Sequence, residues 1–377
     1  MKTNKIRGLF ITHDISNYGA SRSLQTLITN YRDINIDLIV RKSLFKRAVN
    51  ITDIRKRFGS HIENVTCNYL PFDHCYKNKP RNSLKLSVLK LIDRLLWKYH
   101  KNKLYDFITM GNYDFIHLNS LVLHPVITPE YQFIIHVREI YDQSNADAVF
   151  NLQKAAGVIF IDEATKALFQ DVPLPTSIVL NNPFDMTPLR DYADRPFIWP
   201  EGDFKDKVVF SIIGNVSAEK GVDFIIRCFM KLKNENARLL IVGQGEKEYT
   251  SFCKDLSHHD TRIIFWGDEP DILKIYSVSD YILRGEPYQC IGRTIYEGLY
   301  GGCQVIIPAE DTLRKPMFEF ETFQHAIHFY KPRNDHELSD LLHRLSLTKV
   351  RKLSFYSNVD NYVKQFHKFI ETVTHNS

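Results

Sequence analysis

The sequence predicts an α/β protein made of two Rossmann-like, doubly wound domains facing each other across a cleft, with a C-terminal helix closing the structure. Three observations point there. Short β-branched, apolar runs alternate with helical stretches in two successive series. Between the series lies NNPFDMTPLRDYADRPFIWPEGDFKDK, rich in Pro and Asp and lacking either period, as a linker does. The length of 377 residues exceeds one ordinary core and suits two.

The first series of strand-like runs comprises residues 6–12, 34–40, 115–118, 133–137, 158–161 and 177–180. The second comprises residues 208–213, 239–242, 263–266, 281–283, 305–307 and 326–329. Alternation of strand and helix in each series implies parallel sheets, whose ligands bind beyond the carboxyl ends of the strands. The boundary falls near residues 185–205. We therefore divide the chain into a first domain, 1–190, a second, 191–350, and a helical segment, 351–377, that either finishes the second core or packs back toward the first domain.

Hydrophobic residues at 44% and charged residues at 25% describe an ordinary globular chain and exclude disorder. Six scattered cysteines form no C-x-x-C pair, so neither a zinc site nor a disulfide framework is expected, and a reducing cytoplasm fits. The N-terminal apolar run is too short for a signal peptide, and no stretch reaches the ~20 apolar residues of a membrane span. The net charge of +5 is modest, but Lys and Arg crowd residues 40–105. No nucleic-acid partner is expected.

Candidate chemistry concentrates in the second half. The strand KVVFSIIG ends at Gly214 and runs through NVSAEKG into a helix, a geometry whose free N–H groups and partial positive charge suit a phosphate. Lys220 at its lip either adds a full charge to that site or is a solvated surface lysine. No G-K-[ST] follows, so this is not a P-loop. Gly243 and Gly245 form G-x-G without a third glycine, which reads as a tight turn at a strand end more than as a dinucleotide site. In DYILRGEPYQCIGRTIYEGLYGGCQVIIP, Gly292 precedes a helix carrying Arg293, Thr294 and Glu297. The amides opening that helix can hold a pyrophosphate, and an ionised Glu297, acceptor-only, can take the hydroxyls of a ribose diol or serve a neighbouring turn.

These segments, in their order, resemble the retaining GT-B glycosyltransferases of family four, the glycosyl transferases group 1 that include many bacterial lipopolysaccharide and capsule enzymes. GNVSAEKGVDFII is similar to that family's G-R-x-x-x-x-K-G turn, and GRTIYEGLYGGCQVI to its F-G-x-x-x-x-E-A-x-A-x-G-x-P-V-I helix. LLIVGQGEKEY, IIFWGDEPDILKIYSVSDYIL, THDISNYGASRSLQTLI and VLNNPFD fall in matching order, so the likeness spans nearly the whole chain. The resemblance implies that Lys220 binds the diphosphate of a UDP- or GDP-sugar and that Glu297 binds its ribose. It also implies that Gly19 lets backbone approach the donor phosphate, and that Gly292, Arg293 and Thr294 form the helix start under the sugar. Neither metal nor cofactor is expected, since basic groups and helix dipoles replace Mg²⁺ at the leaving diphosphate and no D-x-D occurs.

Two departures stand out. Asn215 occupies the place of the family's turn arginine, and Gln289 that of the first of its paired glutamates. An amide carries no charge to set against an oxocarbenium ion, so either Gln289 acts by hydrogen bonding alone or the nearby Glu286 is the true counterpart. In the first half, FIIHVREIYD puts His136, Arg138 and Glu139 just after a strand, where the family keeps a polar residue near the donor sugar. His136 and Arg138 are catalytic candidates, and either reads also as a structural loop residue. His13 and Asp14 are weaker candidates of the same kind.

From Ser83 to Lys103 the chain reads as a basic amphipathic helix, with Leu84, Val88, Leu91, Ile92, Leu95 and Tyr99 on one face and Lys90, Arg94, Lys98 and Lys101 opposite. It either packs its apolar stripe on the sheet or lies on anionic lipid at the inner face of a bacterial inner membrane. The reaction expected is transfer of a sugar, with retention, to a lipid-linked or oligosaccharide acceptor in surface-polysaccharide synthesis. A nucleotide-sugar epimerase and a non-catalytic binding partner on the same scaffold are the rival readings.

Overall fold

A computed structural model describes residues 5–15, 19–42, 50–73, 84–141, 145–193, 198–199, 202–204, 206–287, 292–310, 320–350 and 353–375. It divides into two compact units, one of Met1–Pro183 with Asn358–Ser377 and one of Phe184–Ser357.

The first unit holds β1 (Arg7–Thr12), α1 (Gly19–Asn30), β2 (Asn35–Arg41), α2 (Ile51–Phe58), β3 (Ile62–Asn68), α3 (Leu84–Gly111), β4 (Phe115–Leu118), β5 (Phe133–Val137), α4 (Ala146–Leu152), β6 (Gly157–Phe160), α5 (Glu163–Ala167) and β7 (Ser177–Val179). Its seven strands form one sheet in the order β3-β2-β1-β4-β5-β6-β7, parallel throughout. The central strands are buried on both faces, which explains why they read as unbroken apolar runs. Edge strand β3, IENVTCN, was not expected from the sequence. Its polar residues face outward at the sheet margin, which hides the apolar signal.

The second unit holds α6 (Arg190–Ala193), a small antiparallel pair β8 (Ile198–Trp199) and β9 (Gly202–Asp203), then β10 (Val208–Ile213), α7 (Val222–Met230), β11 (Ala237–Val242), α8 (Lys247–Leu256), β12 (Ile263–Gly267), α9 (Ile272–Val278), β13 (Tyr281–Leu283), α10 (Arg293–Tyr300), β14 (Gln304–Pro308), α11 (Phe320–Phe323), β15 (Ile327–Tyr330) and α12 (Asp335–Leu345). Its six-stranded sheet runs β12-β11-β10-β13-β14-β15, again parallel. All six strands were legible as apolar runs. Phe184, Met186 and Leu189, within the expected linker, are buried in this unit's core, so its packing begins ahead of residue 191.

The last helix, α13 (Val359–His375), belongs to the first unit. Tyr362, Phe366, Phe369, Ile370 and Val373 form a buried stripe that joins the core beside α1, each large apolar side chain contributing roughly 1.5–3 kcal/mol. Gly157 of β6 makes room for it, since a Cβ there would lie 2.9 Å from Val373 and 3.0 Å from Phe369. In both sheets the order reverses beside the first strand, at β1/β4 and at β10/β13. Those reversals are where a parallel α/β sheet opens a crevice at its C-terminal edge.

Candidate functional site

At the β10/β13 reversal, glycines press the loops together. Gly221 adopts a left-handed φ of +63° and caps α7, and a Cβ on it would strike the carbonyl of Gly285. A Cβ on Gly285 would in turn lie 2.6 Å from the Gly221 oxygen. This mutual approach holds the Lys220 turn against the segment that leaves β13. Arg284 follows that strand directly, and Glu286 lies two residues on, both buried.

The Glu286 carboxylate gathers the cations around it. Its Oε1 accepts from Lys220 Nζ at 3.1 Å and from Arg284 Nη2, and its Oε2 from Arg284 Nε at 3.1 Å. Arg284 Nη1 continues to Thr294 Oγ1, 3.2 Å away in the first turn of α10. One helical turn on, Glu297 is buried and accepts from Arg293 Nε and from the Tyr276 hydroxyl, each at 2.8 Å. Tyr276 also reaches the Thr294 carbonyl, at 3.4 Å. Lys220, Glu286, Arg284, Thr294, Tyr276, Glu297 and Arg293 thus form one continuous polar network at a sheet switch point, beside the N-terminus of an eight-residue helix capped by Gly292.

Of the residues singled out in the sequence, the structure brings Lys220, Glu286, Gly292, Arg293, Thr294 and Glu297 together here. Asn215 is exposed on the same turn, and Gln289 lies outside the described residues. Arg284 and Tyr276 were missed. A charged residue directly after the apolar run YIL, at the reversal of strand order, was the available signal for Arg284. Tyr276, in the helix before β13, gave none. Among the described residues no group of three or more His, Cys, Asp or Glu side chains could hold a metal ion.

The β1/β4 reversal is built differently. Gly19 opens α1 with φ +32°, and Asn119, just past β4, donates to the Ala20 carbonyl at 3.1 Å and approaches Thr12 Oγ1 at 3.4 Å. Arg138 donates through Nε to Asn119 Oδ1 and to its carbonyl, both at 3.2 Å, and through Nη1 to Asn182. Glu139 accepts from the Ser120 hydroxyl and from the amide of Leu121 at 3.1 Å. His136 sits within β5 and not after it, with its side chain fully buried. Its Nδ1 faces Arg138 Nη2 at 3.1 Å, its Nε2 has no partner among the described residues, and its ring stands edge-on to His117 at 5.7 Å. Burial, with Arg138 beside them, holds both imidazoles well below the usual histidine range, so they are neutral at pH 7. Arg138 remains close to polar partners at the strand end, whereas His136 presents no nitrogen to solvent.

Helix α3 also departs from the simplest packing. Asp93, Trp97, His100 and Leu104 face the sheet, with Arg41 gripping Asp93 at 2.8 and 3.0 Å and His100 stacked on Tyr69. The opposite side carries Val88, Leu91, Leu95 and Tyr99 at relative exposures of 49%, 58%, 60% and 82%. An apolar stripe beside Arg94, Lys98 and Lys101 therefore faces solvent, the reverse of a helix that packs its apolar side inward. No helix among the described residues is long and apolar enough to cross a membrane.

Known proteins resemble the chain in part of its sequence and in its fold. The family model of glycosyl transferases group 1 matches residues 194–365. Glycogen synthase of Aquifex aeolicus is 25% identical over 142 residues, 38% of this chain and 31% of that protein, so the matched stretch spans about a third of the curated relative. In fold, the crystal structure of Anabaena HepE in complex with UDP and glucose superposes with a TM-score of 0.67 at 16% identity, covering 97% of this chain and 100% of that one. The lipopolysaccharide outer core galactosyltransferase WaaB superposes with a TM-score of 0.62 at 14% identity, covering 97% and 99%. The family-model likeness covers residues 194–365, and the two-sheet α/β fold matches that of GT-B structures.

Proposed function

We propose that this chain is a retaining glycosyltransferase that moves a sugar from a UDP- or GDP-sugar to a lipid-linked or oligosaccharide acceptor in bacterial surface-polysaccharide synthesis. The observation that carries this reading is the polar network at the β10/β13 reversal, where Lys220, the opening of α10 and Glu297 are assembled within one unit. Lys220 Nζ supplies a positive charge to the departing diphosphate, and the α10 amides add their partial charge, so that the reaction proceeds without a metal. Glu297 takes the ribose hydroxyls. Arg293 and Tyr276 hold its carboxylate in place beside the opening of α10.

The first unit receives the acceptor in this reading, and Arg138 is its candidate contact with the transferred sugar. The solvent-facing stripe of α3 supports peripheral attachment to an anionic cytoplasmic membrane face, with apolar side chains entering the headgroup boundary at about 1 kcal/mol of added attraction per nearby basic residue. That location suits a lipid-linked acceptor. The fold likeness to a lipopolysaccharide galactosyltransferase and to a protein solved with UDP and glucose supports the substrate class.

The test is a thermal-shift screen of UDP- and GDP-sugars, followed by turnover of any stabilising donor with lipid-linked oligosaccharide and determination of the product's anomeric configuration. Retained configuration with release of nucleoside diphosphate in the presence of EDTA is expected. Conversion of the nucleotide sugar with no acceptor added, or binding with no transfer to any acceptor, contradicts the proposal.

A further inference from the structure

Helix α3 covers one face of the first unit's sheet, and α1, α2 and α13 cover the other. Leu104 and Ile108 of α3 pack with Leu9, Ile11 and Ile39, whereas the other three helices pack with Phe10, Leu38 and Val40, which alternate with them along β1 and β2. The exposed stripe of α3 points directly away from the sheet and runs the length of the helix to Met110, which is 86% exposed. Arg94, Lys98 and Lys101 flank it on one side and Lys103 on the other, all exposed. Cations on both flanks of an apolar stripe suit a helix lying flat on an anionic lipid surface. Asp93 is level with Arg41, the last residue of β2, so Val88 and Leu91 lie past the strand end and bring that surface beneath the C-terminal edge of the sheet.

At that edge the polar side chains stand on the far face. The His117 ring meets Phe366 of α13, His136 lies beside His117, and Arg138 contacts both His136 and Asn119, which itself donates to the Ala20 carbonyl of α1. A helix with its side chains is about 10–12 Å thick and half the spacing of packed sheets is about 5 Å, so the plane of the sheet, with Arg138 beyond it, stands about 15 Å above the apolar boundary on which the stripe rests. The polar headgroup layer of one leaflet is only about 5–8 Å deep. A sugar joined directly to a lipid phosphate therefore ends short of Arg138, and raising the lipid to close the gap exposes its methylenes to water. We propose that α3 is a spacer as well as an anchor: it sets the height at which sugar is added, so the acceptor is a lipid-linked saccharide that already carries several sugars. This rests on the transferase and lipid-attachment reading given above. The enzyme extends a chain and does not begin one, and separate transfer reactions must supply the first sugars on the lipid phosphate. Enzyme and acceptor are tethered to one surface, so the concentration each meets falls toward zero when the tether cannot span the gap.

The experiment uses the full-length protein on phosphatidylglycerol vesicles containing a dialkylglycerol lipid that bears the terminal sugar of the acceptor identified in the transfer assay, joined directly or through ethylene-glycol spacers of increasing length. Each acceptor is also made with a methyl group in place of the lipid and assayed free in solution. In the vesicle series the initial rate is expected to rise at least about tenfold once the spacer spans roughly 10 Å. In solution it is independent of spacer length. Equal rates for the directly joined and the spaced lipid acceptors overturn the inference and leave the transferase standing. An equal rise in the methyl series overturns it as well, because the spacer is then recognised by the site itself. Transfer in solution without cosedimentation of the protein with the vesicles removes the lipid attachment together with the inference, and transfer to neither series sinks the proposed function itself.

Discussion

The C-terminal edges of the two sheets share a strand order that reverses beside the first strand, yet they are filled by opposite chemistry. At β1/β4 the charges are damped: neutral, fully buried His117 and His136 lie under an arginine held by asparagines. At β10/β13 charge is concentrated, with Lys220, Arg284 and Arg293 set against Glu286 and Glu297 and clamped by a glycine-to-glycine backbone contact. One scaffold thus presents a polar but weakly charged rim and a strongly ionic one. An ionic rim with cations beside a helix N-terminus suits a diphosphate, and a damped rim suits sugar hydroxyls.

The contrast breaks most readily at the glycines. Gly221→Ala places a Cβ into the Gly285 carbonyl in a left-handed backbone, and we expect it to cost roughly 3 kcal/mol or more of the second unit's stability. Gly19→Ala in the first unit meets no described atom within 4 Å and should cost only about 1 kcal/mol for its left-handed φ. Denaturant melts of the two variants check the difference, and equal losses would remove the idea that only one rim is a backbone clamp.

Glu297→Gln comes next. It takes the charge from a buried acceptor of Arg293 and Tyr276, so nucleoside diphosphate affinity should fall by about tenfold or more, while Glu139→Gln in the first unit leaves it unchanged. Titration calorimetry reads both.

The damped rim carries a pH signature. His117 and His136 are held well below 6.5 by burial, so the unfolded chain takes up protons that the folded unit refuses. Stability is therefore complete above about pH 6.5 and falls on acidification below it, by roughly 1 kcal/mol per pH unit for each ring. Melting temperatures between pH 7.5 and 5.5 should show this slope, and His117→Phe should flatten it. The smallest effect on stability is expected at α3. Leu95→Glu with Tyr99→Glu, both on exposed positions, should leave the melting temperature nearly unchanged but abolish cosedimentation with anionic liposomes.

Much of this was legible in the sequence, for identifiable reasons. Strands buried on both faces read as apolar runs, so both sheets were visible except at β3, whose margin position lets polar residues face water. Turn glycines and Lys220 marked the ionic rim because backbone geometry demands particular residues there. The sequence could not show which carboxylate would claim Lys220, since the pairing of Lys220 with Glu286 spans 66 residues and depends on two glycines meeting. Nor could it place His136, because alternation along a strand fixes a face but not what covers it. There α13 adds Phe366, from the far end of the chain, to the layer in which His117 lies. For α3 the apolar stripe was readable, but the side that meets the sheet is chosen by Asp93, Trp97 and His100, residues that hydrophobicity alone does not select.

The central claim is that a nucleoside diphosphate seats on the ionic rim of the second unit. Hydrogen–deuterium exchange of the full chain with saturating UDP or GDP tests it most directly. The account predicts slowed exchange in residues 214–221, 284–286 and 293–297, with the β1/β4 rim changed less. Protection confined to the first unit, or none in those three segments at saturation, contradicts it.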